Sequence, residues 1–179
     1  MVTRDKRRRA SHALQFNVAQ LLKQPSGTRR IYDIDADHLP SLDEEVRVVA
    51  PFTGPVRLTR VGDGILVTGE LQTTVELECS RCLSALQTDT QFEIEEEFRP
   101  TLDIQSGSRM SQEPDQDVAT LIDENHILDL GEVVRKGLLL SLPPSPVCRP
   151  DCSGLCPHCG QDQNEGGCEC DSDLIDPRW

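Results

Sequence analysis

The chain has 179 residues, of which 36% are hydrophobic and only 3% aromatic, and it carries a net charge of -13. That length holds one domain with a modest aliphatic core plus a small appendage, not two full-sized domains. The apolar run Leu138-Leu139-Leu140 ends at Ser141-Leu142-Pro143, far short of the roughly 18 residues a bilayer-spanning helix requires.

The charge is unevenly divided. Residues 1–30 hold eight Lys/Arg against one acid, and the remainder holds ten against thirty, for net charges of +7 and -20. A basic arm attracts phosphate and an acidic body attracts basic protein surfaces. Residues 1–15 read as a basic, disordered arm, and Arg4, Lys6, Arg7, Arg8, Arg9, Arg29 and Arg30 are the candidate RNA phosphate contacts. No apolar segment follows Arg7-Arg8-Arg9, so no secretory signal is expected and the expected compartment is the reducing cytoplasm.

Residues 16–147 read as one antiparallel, β-rich domain. Asn17 is placed to cap a short helix over Phe16–Lys23, which ends before Pro25 and Gly27. Strands are expected around Ile31–Ile34, Val46–Ala50 and Val56–Val61, punctuated by Pro51 and Gly54-Pro55. Ile65, Val67, Leu71, Val75 and Leu77 all occupy odd positions, with Thr68, Glu70, Gln72, Thr74 and Glu76 between them, the period of two of a half-buried strand. Gly62-Asp63-Gly64 supplies the turn into it. A second alternating run sets Phe92, Ile94 and Phe98 against Glu93, Glu95 and Glu97, which puts Cys79-Ser80-Arg81-Cys82 at the tip of a hairpin. Residues 103–120 read as a flexible acidic loop. A helix is expected over about 129–142, with Asp129 and Glu132 as a capping box and Leu130, Val133, Val134, Leu138 and Leu142 as its buried stripe. Pro143-Pro144-Ser145-Pro146 then imposes an extended segment before a Cys-rich tail at 148–179. The fold class expected is α+β, mainly antiparallel β as a twisted sheet or open barrel, with one helix in the C-terminal half.

Eight cysteines fall into four close pairs: Cys79-x2-Cys82, Cys148-x3-Cys152, Cys156-x2-Cys159 and Cys168-x-Cys170. Four-thiolate zinc sites draw on such pairs, because tight turns bring two sulfurs to one ion at about 2.3 Å. Loop closure favours joining Cys156/Cys159 with Cys168/Cys170, leaving Cys79/Cys82 with Cys148/Cys152. Two structural zinc ions are therefore expected, with Gly154 and Gly160 supplying positive backbone angles and amides donating to the thiolates. Cys168-Glu169-Cys170 has the narrowest bite, and Asp171 or His158 is an alternative ligand there. Disulfides are disfavoured by a cytosolic setting, and a redox Cys-x-x-Cys would need a βαβ context.

No phosphate-binding glycine loop, His-Glu-x-x-His helix or Gly-x-Ser-x-Gly elbow is present, and the four histidines are scattered. Glu95-Glu96-Glu97 reads as a solvated strand edge rather than as paired catalytic carboxylates. The expectation is a non-enzyme without catalytic residues or a small-molecule substrate.

The segments Glu78-Cys79-Ser80-Arg81-Cys82-Leu83, Leu138 to Pro143 and Asp151-Cys152-Ser153-Gly154-Leu155-Cys156-Pro157-His158-Cys159-Gly160 together resemble the YceD family, the large ribosomal RNA subunit accumulation proteins. The likeness extends to Phe16–Leu22, Asn164-Glu165 and Cys168-Glu169-Cys170. It departs at Gln163, where the family tends to have an apolar residue, and in the added arm of residues 1–15. The resemblance implies a non-enzymatic factor in large ribosomal subunit assembly, partnered by ribosomal RNA or an immature particle. Two other readings stand beside it: an acidic, zinc-stapled module that holds a basic ribosomal protein without touching RNA, and a thiol redox sensor or holdase.

Overall fold

The computed structural model describes residues 13–37, 46–111 and 117–170. Among them the chain forms a two-stranded sheet and a six-stranded sheet that does not close on itself. Strand β1 (Gln15–Asn17) leads into a one-turn helix α1 (Ala19–Leu22), followed by β2 (Arg29–Ala36), β3 (Arg47–Val48), β4 (Phe52–Val61), β5 (Gly64–Glu78) and β6 (Ala85–Pro100). A 3-10 turn (Val118–Thr120), β7 (Leu121–Ile122), β8 (Ile127–Asp129) and helix α2 (Gly131–Ser141) complete the order.

The large sheet runs β2-β4-β5-β6-β7, with β3 also pairing β5. Pairing of β4 with its neighbours β2 and β5 is antiparallel, as short connections dictate. The exception is β7, which lies parallel to β6, Arg99 facing Leu121 and Pro100 facing Ile122. A long connection reaches β7, so the chain is free to re-enter in either direction.

The alternating pattern of β5 is realised: Ile65, Val67, Leu71, Val75 and Leu77 are buried. With Phe52, Val56 and Leu58 from β4 and Phe92, Ile94 and Phe98 from β6, they make one apolar sheet face. Val133, Val134 and Leu138 of α2 are buried as expected, whereas Leu142 is only half-buried. Gly137 brings α2 close to β6, since a Cβ there would lie 2.8 Å from the Phe92 ring. The opposite face of β6 presents Asp89, Gln91, Glu93, Glu95 and Glu97 to solvent. Glu95, Glu96 and Glu97 are all exposed, in keeping with a solvated strand segment.

Two local expectations need correcting. Phe16-Asn17 is strand rather than helix: β1 pairs β8, Phe16 opposite Leu128, and Asn17 accepts only the Ala19 amide at the start of the single turn. The capping box does not form. Asp129 Oδ1 accepts the Gly131 amide at 2.8 Å, but the Glu132 carboxylate is taken by Arg135 in a bidentate pair at 2.7 and 2.9 Å. Of the acidic segment 103–120, residues 112–116 lie outside the described residues. Asp103 Oδ1 accepts the Gln105 and Ser106 amides, and Leu102 bridges Arg109, so residues 102–109 form a closed turn.

The chain divides into two compact units, one comprising residues up to Val75 with Thr88–Leu142, the other Glu76–Gln87 with residues from Pro143 onward. The first holds the aliphatic core just described. The second draws together the β5–β6 hairpin tip and the Cys-rich tail, and its buried cluster is Cys79, Cys82 and Cys152, with Leu86 and Leu155 packed against it.

Candidate metal centres

The second unit brings all eight cysteines into two groups of four. Cys79, Cys82, Cys148 and Cys152 form one, and Cys156, Cys159, Cys168 and Cys170 the other, the sulfurs of each group lying within 4.8 Å of one another. This is the grouping that loop closure favours. In the first group Cys79 and Cys152 sulfurs are 3.9 Å apart and Cys82 and Cys148 sulfurs 3.7 Å apart. A tetrahedron of sulfurs at about 2.3 Å from a central ion has edges of about 3.8 Å. The donor set and its spacing therefore fit a four-coordinate thiolate metal. His158 is exposed and outside the second group, and Asp171 lies outside the described residues.

Each group is built on a knuckle. The Cys79-Ser80-Arg81-Cys82 turn closes with the Leu83 amide on the Cys79 carbonyl at 2.9 Å, and Cys156-Pro157-His158-Cys159 closes identically through Gly160, also at 2.9 Å. Both closing residues take the left-handed conformation, with φ of 60° at Leu83 and 73° at Gly160. Gly154, at φ 76°, turns the chain between the groups. The turns aim amides at the first sulfur of each knuckle. The Cys82 amide above all, with that of Cys148, lowers the Cys79 thiol to about 6, and the amides of Cys159 and His158 do the same for Cys156. The Ser84 hydroxyl, 3.0 Å from Cys82 sulfur, lowers that thiol in turn. Desolvation of the sulfur and then the neighbouring thiols raise Cys148 to about 12, and the Cys159 thiol with desolvation raises Cys170 equally far. Four sulfurs held this close cannot all carry charge without a cation between them.

The groups differ in burial. Three of the first four cysteines are buried, but only Cys156 of the second. The loop between Cys159 and Cys168 folds back on the first group: Leu155 bridges Asp162, the Cys156 amide donates to the Gln161 carbonyl at 2.8 Å, and the Gln163 amide donates to Gly154 at 2.9 Å. Gln163 is exposed and contributes only backbone, so a polar side chain suits this position.

Of the candidate phosphate contacts, Arg4, Lys6, Arg7, Arg8 and Arg9 lie outside the described residues. Arg29 and Arg30 are adjacent on β2 and so point to opposite faces; Arg29 is exposed and Arg30 half-buried. Sequence reasoning missed the groups around the sulfurs, namely Ser84 and Asn164. A hydroxyl two positions after a knuckle is a usable pointer; an Asn whose partners come from a separate loop is not.

The profile of the family described as large ribosomal RNA subunit accumulation protein YceD matches residues 67–179. The chain belongs to the YceD family. The matched region includes the hairpin, α2 and both cysteine groups. The chain is also 38% identical over 125 residues to an uncharacterized protein of Mycobacterium tuberculosis and to one of Mycobacterium bovis, a stretch covering 69% of this chain and 56% of each relative. An uncharacterized protein of Mycobacterium leprae is 31% identical over 131 residues, covering 73% of this chain and 57% of the relative. The chain thus spans little more than half the length of the curated relatives it matches. No solved structure matches it.

Proposed function

We propose that this YceD-family protein is a non-enzymatic, cytoplasmic factor that supports accumulation of large-subunit ribosomal RNA by binding that RNA within an immature particle, and that its two cysteine groups hold structural zinc. Membership of a family described by that role carries the reading. The metal part is supported by two complete four-sulfur donor sets, which leave no open position for a reacting water. Zinc suits four thiolates and tetrahedral spacing better than harder cations do. The basic arm supplies phosphate contacts through Arg4 and Lys6 to Arg9, and Arg29 and Arg30 supply the others.

Sucrose-gradient sedimentation of the tagged protein at low and high salt, with RNA and proteins identified in each fraction, tests this reading. Comigration with immature large subunits that is lost as salt rises is expected, since phosphate contacts release counterions. Confinement to the top of the gradient at both salts would count against it. A second reading is favoured by the solvent-facing row Asp89, Glu93, Glu95 and Glu97: the acidic body holds a basic ribosomal protein, and crosslinks form to protein but not to RNA.

A further inference from the structure

Asn164 lies in the loop between Cys159 and Cys168, sequence that belongs to the second cysteine group, yet its side chain serves the first. Its Nδ2 donates to Cys152 sulfur at 3.5 Å and to Asp162 Oδ1 at 2.6 Å. Its Oδ1 accepts the Ser153 amide at 2.8 Å and the Arg149 guanidinium at 2.6 Å. Arg149 and Cys152 within the Cys148–Cys152 turn, and Ser153 just after it, are thereby tied to one amide. The orientation of that amide is fixed by its partners: two donors face the oxygen and two acceptors face the nitrogen, and a flip would set donor against donor and acceptor against acceptor.

The loop that carries Asn164 is held on its N-terminal side by backbone, through the Leu155–Asp162 bridge and the amide bonds of Cys156 to Gln161 and of Gln163 to Gly154; beyond Glu165 the cysteines hold it. The flanking residues Gln163 and Glu165 are exposed, no large apolar side chain lies within 160–167, and the stretch is closed at its two ends by Cys156/Cys159 and Cys168/Cys170. Its far end is fixed only when those four sulfurs are drawn to a common ion. An ion in the second group would thus hold the loop from both sides and keep the Asn164 N–H against Cys152, where it would offset thiolate charge and restrain the Cys148–Cys152 turn.

We infer that Asn164 is a positioning residue that couples the two metal sites, so that occupancy of the Cys156/Cys159/Cys168/Cys170 site slows loss of the ion held by Cys79, Cys82, Cys148 and Cys152. The inference rests on the structural-metal reading above. Coupling of this kind is reciprocal at equilibrium. Hydrogen bonds to metal ligands from outside the coordination sphere typically change metal affinity by about 10- to 100-fold.

The test uses the full chain loaded with Co2+, whose thiolate charge-transfer bands report the sites, and follows release to an excess of chelator. Disabling the second site by Cys168→Ser with Cys170→Ser leaves one ion, and its release is expected to be about 10-fold faster than the slow phase of the parent chain. Asn164→Ala is expected to speed that slow phase to a similar extent, and combining it with the two serine changes to add nothing further. Asn164→Asp retains an acceptor for Ser153 and Arg149 but sets a carboxylate oxygen in place of the N–H, against both the Cys152 sulfur and Asp162 Oδ1. It is expected to speed release and to move part of the charge-transfer absorption to longer wavelength, which a role confined to packing the loop would not do. Far-ultraviolet circular dichroism at parental intensity verifies that each variant keeps its sheet. Two ions bound and released with rates indifferent to the serine changes or to Asn164 would overturn the coupling and leave the metal reading standing. Failure of the intact chain to bind Co2+ or Zn2+ at all would overturn that reading, and the coupling with it.

Discussion

At the residue scale the two knuckles make a controlled comparison inside one chain. Leu83 and Gly160 close equivalent turns, at φ 60° and 73°, but only glycine adopts this conformation without cost. A left-handed L-residue loses roughly 1–2 kcal/mol. A Cβ at Gly160 would meet nothing within 4 Å, so Gly160→Ala tests backbone strain alone. It is expected to weaken the second site by about 1 kcal/mol, read as a lower chelator concentration at half-release. Leu83→Gly is expected to change the first site little or in the opposite direction, because relieved strain is offset by the freer unfolded chain. A loss at Leu83→Gly as large as at Gly160→Ala would show that the leucine side chain, not the backbone, holds that turn.

The sulfurs also predict a proton count. Cys79 and Cys156, lowered to about 6 by the amides aimed at them, are already thiolates at neutral pH in the metal-free chain, whereas Cys148 and Cys170, raised to about 12, hold their protons. An ion binds thiolate, so loading must expel at least the protons of Cys148 and Cys170, one from each site. The sign follows: because protons are products of loading, affinity falls as pH falls. Calorimetry of Zn2+ binding in buffers of different ionisation enthalpy is expected to show that release, and heats that do not change with buffer would contradict it. The ligand spacing was legible in the sequence because each pair is local. The groups that tune the sulfurs were not, since Asn164 reaches Cys152 only after the loop has folded back.

At the element scale, what the sequence disclosed depended on how local the determining interaction is. β5 could be read residue by residue, because one buried face over 15 residues writes a period of two into the chain. β1 could not, because its partner β8 lies far along the chain, Gln15 bonding Asp129 across 114 residues; Asn17 offered a plausible local cap that tertiary pairing overrode. The capping box failed for a local reason instead, Arg135 competing for Glu132 from one turn away. β7 is two residues long and carries no period at all. Gly137 is a residue whose position in the interior of α2 makes sense only in three dimensions. Alanine there gains about 1 kcal/mol of helix propensity, but its Cβ would press to 2.8 Å on the ring of Phe92, which is buried and packed edge-on against Phe52. Overpacking of a core typically costs about 1–3 kcal/mol. Gly137→Ala is therefore expected to be net destabilising by about 1 kcal/mol, seen as a lower urea midpoint with unchanged slope. A raised midpoint would mean that the helix can lift off β6 at little cost.

At the scale of the whole molecule, each of the two units is stabilised internally by different physics. The first buries aliphatic and aromatic side chains from three long strands and a helix, enough apolar surface to form a core without cysteine. Among the described residues the second has no such core. Its buried cluster is three cysteines with two half-buried leucines, and its pieces come from separate parts of the sequence, Glu76–Gln87 and the tail from Pro143. Closing those pieces costs loop entropy that two leucines do not offset. Structural zinc sites contribute about 10–16 kcal/mol of apparent binding energy in small modules, more than the whole stability of many domains. Removing the metal is therefore expected to unfold the second unit and leave the first in place. Hydrogen exchange after chelation would show it: amides that close the tail, such as Leu155 on the Arg81 carbonyl and Cys156 on the Gln161 carbonyl, lose protection, while those between β4 and β5 keep theirs. Protection that persists in the tail would mean that thiols and leucines suffice without an ion. Loss of protection in both units at once would mean that the sheet depends on the metal as well, and that the long strands entering the hairpin tip transmit the unfolding of one unit to the other.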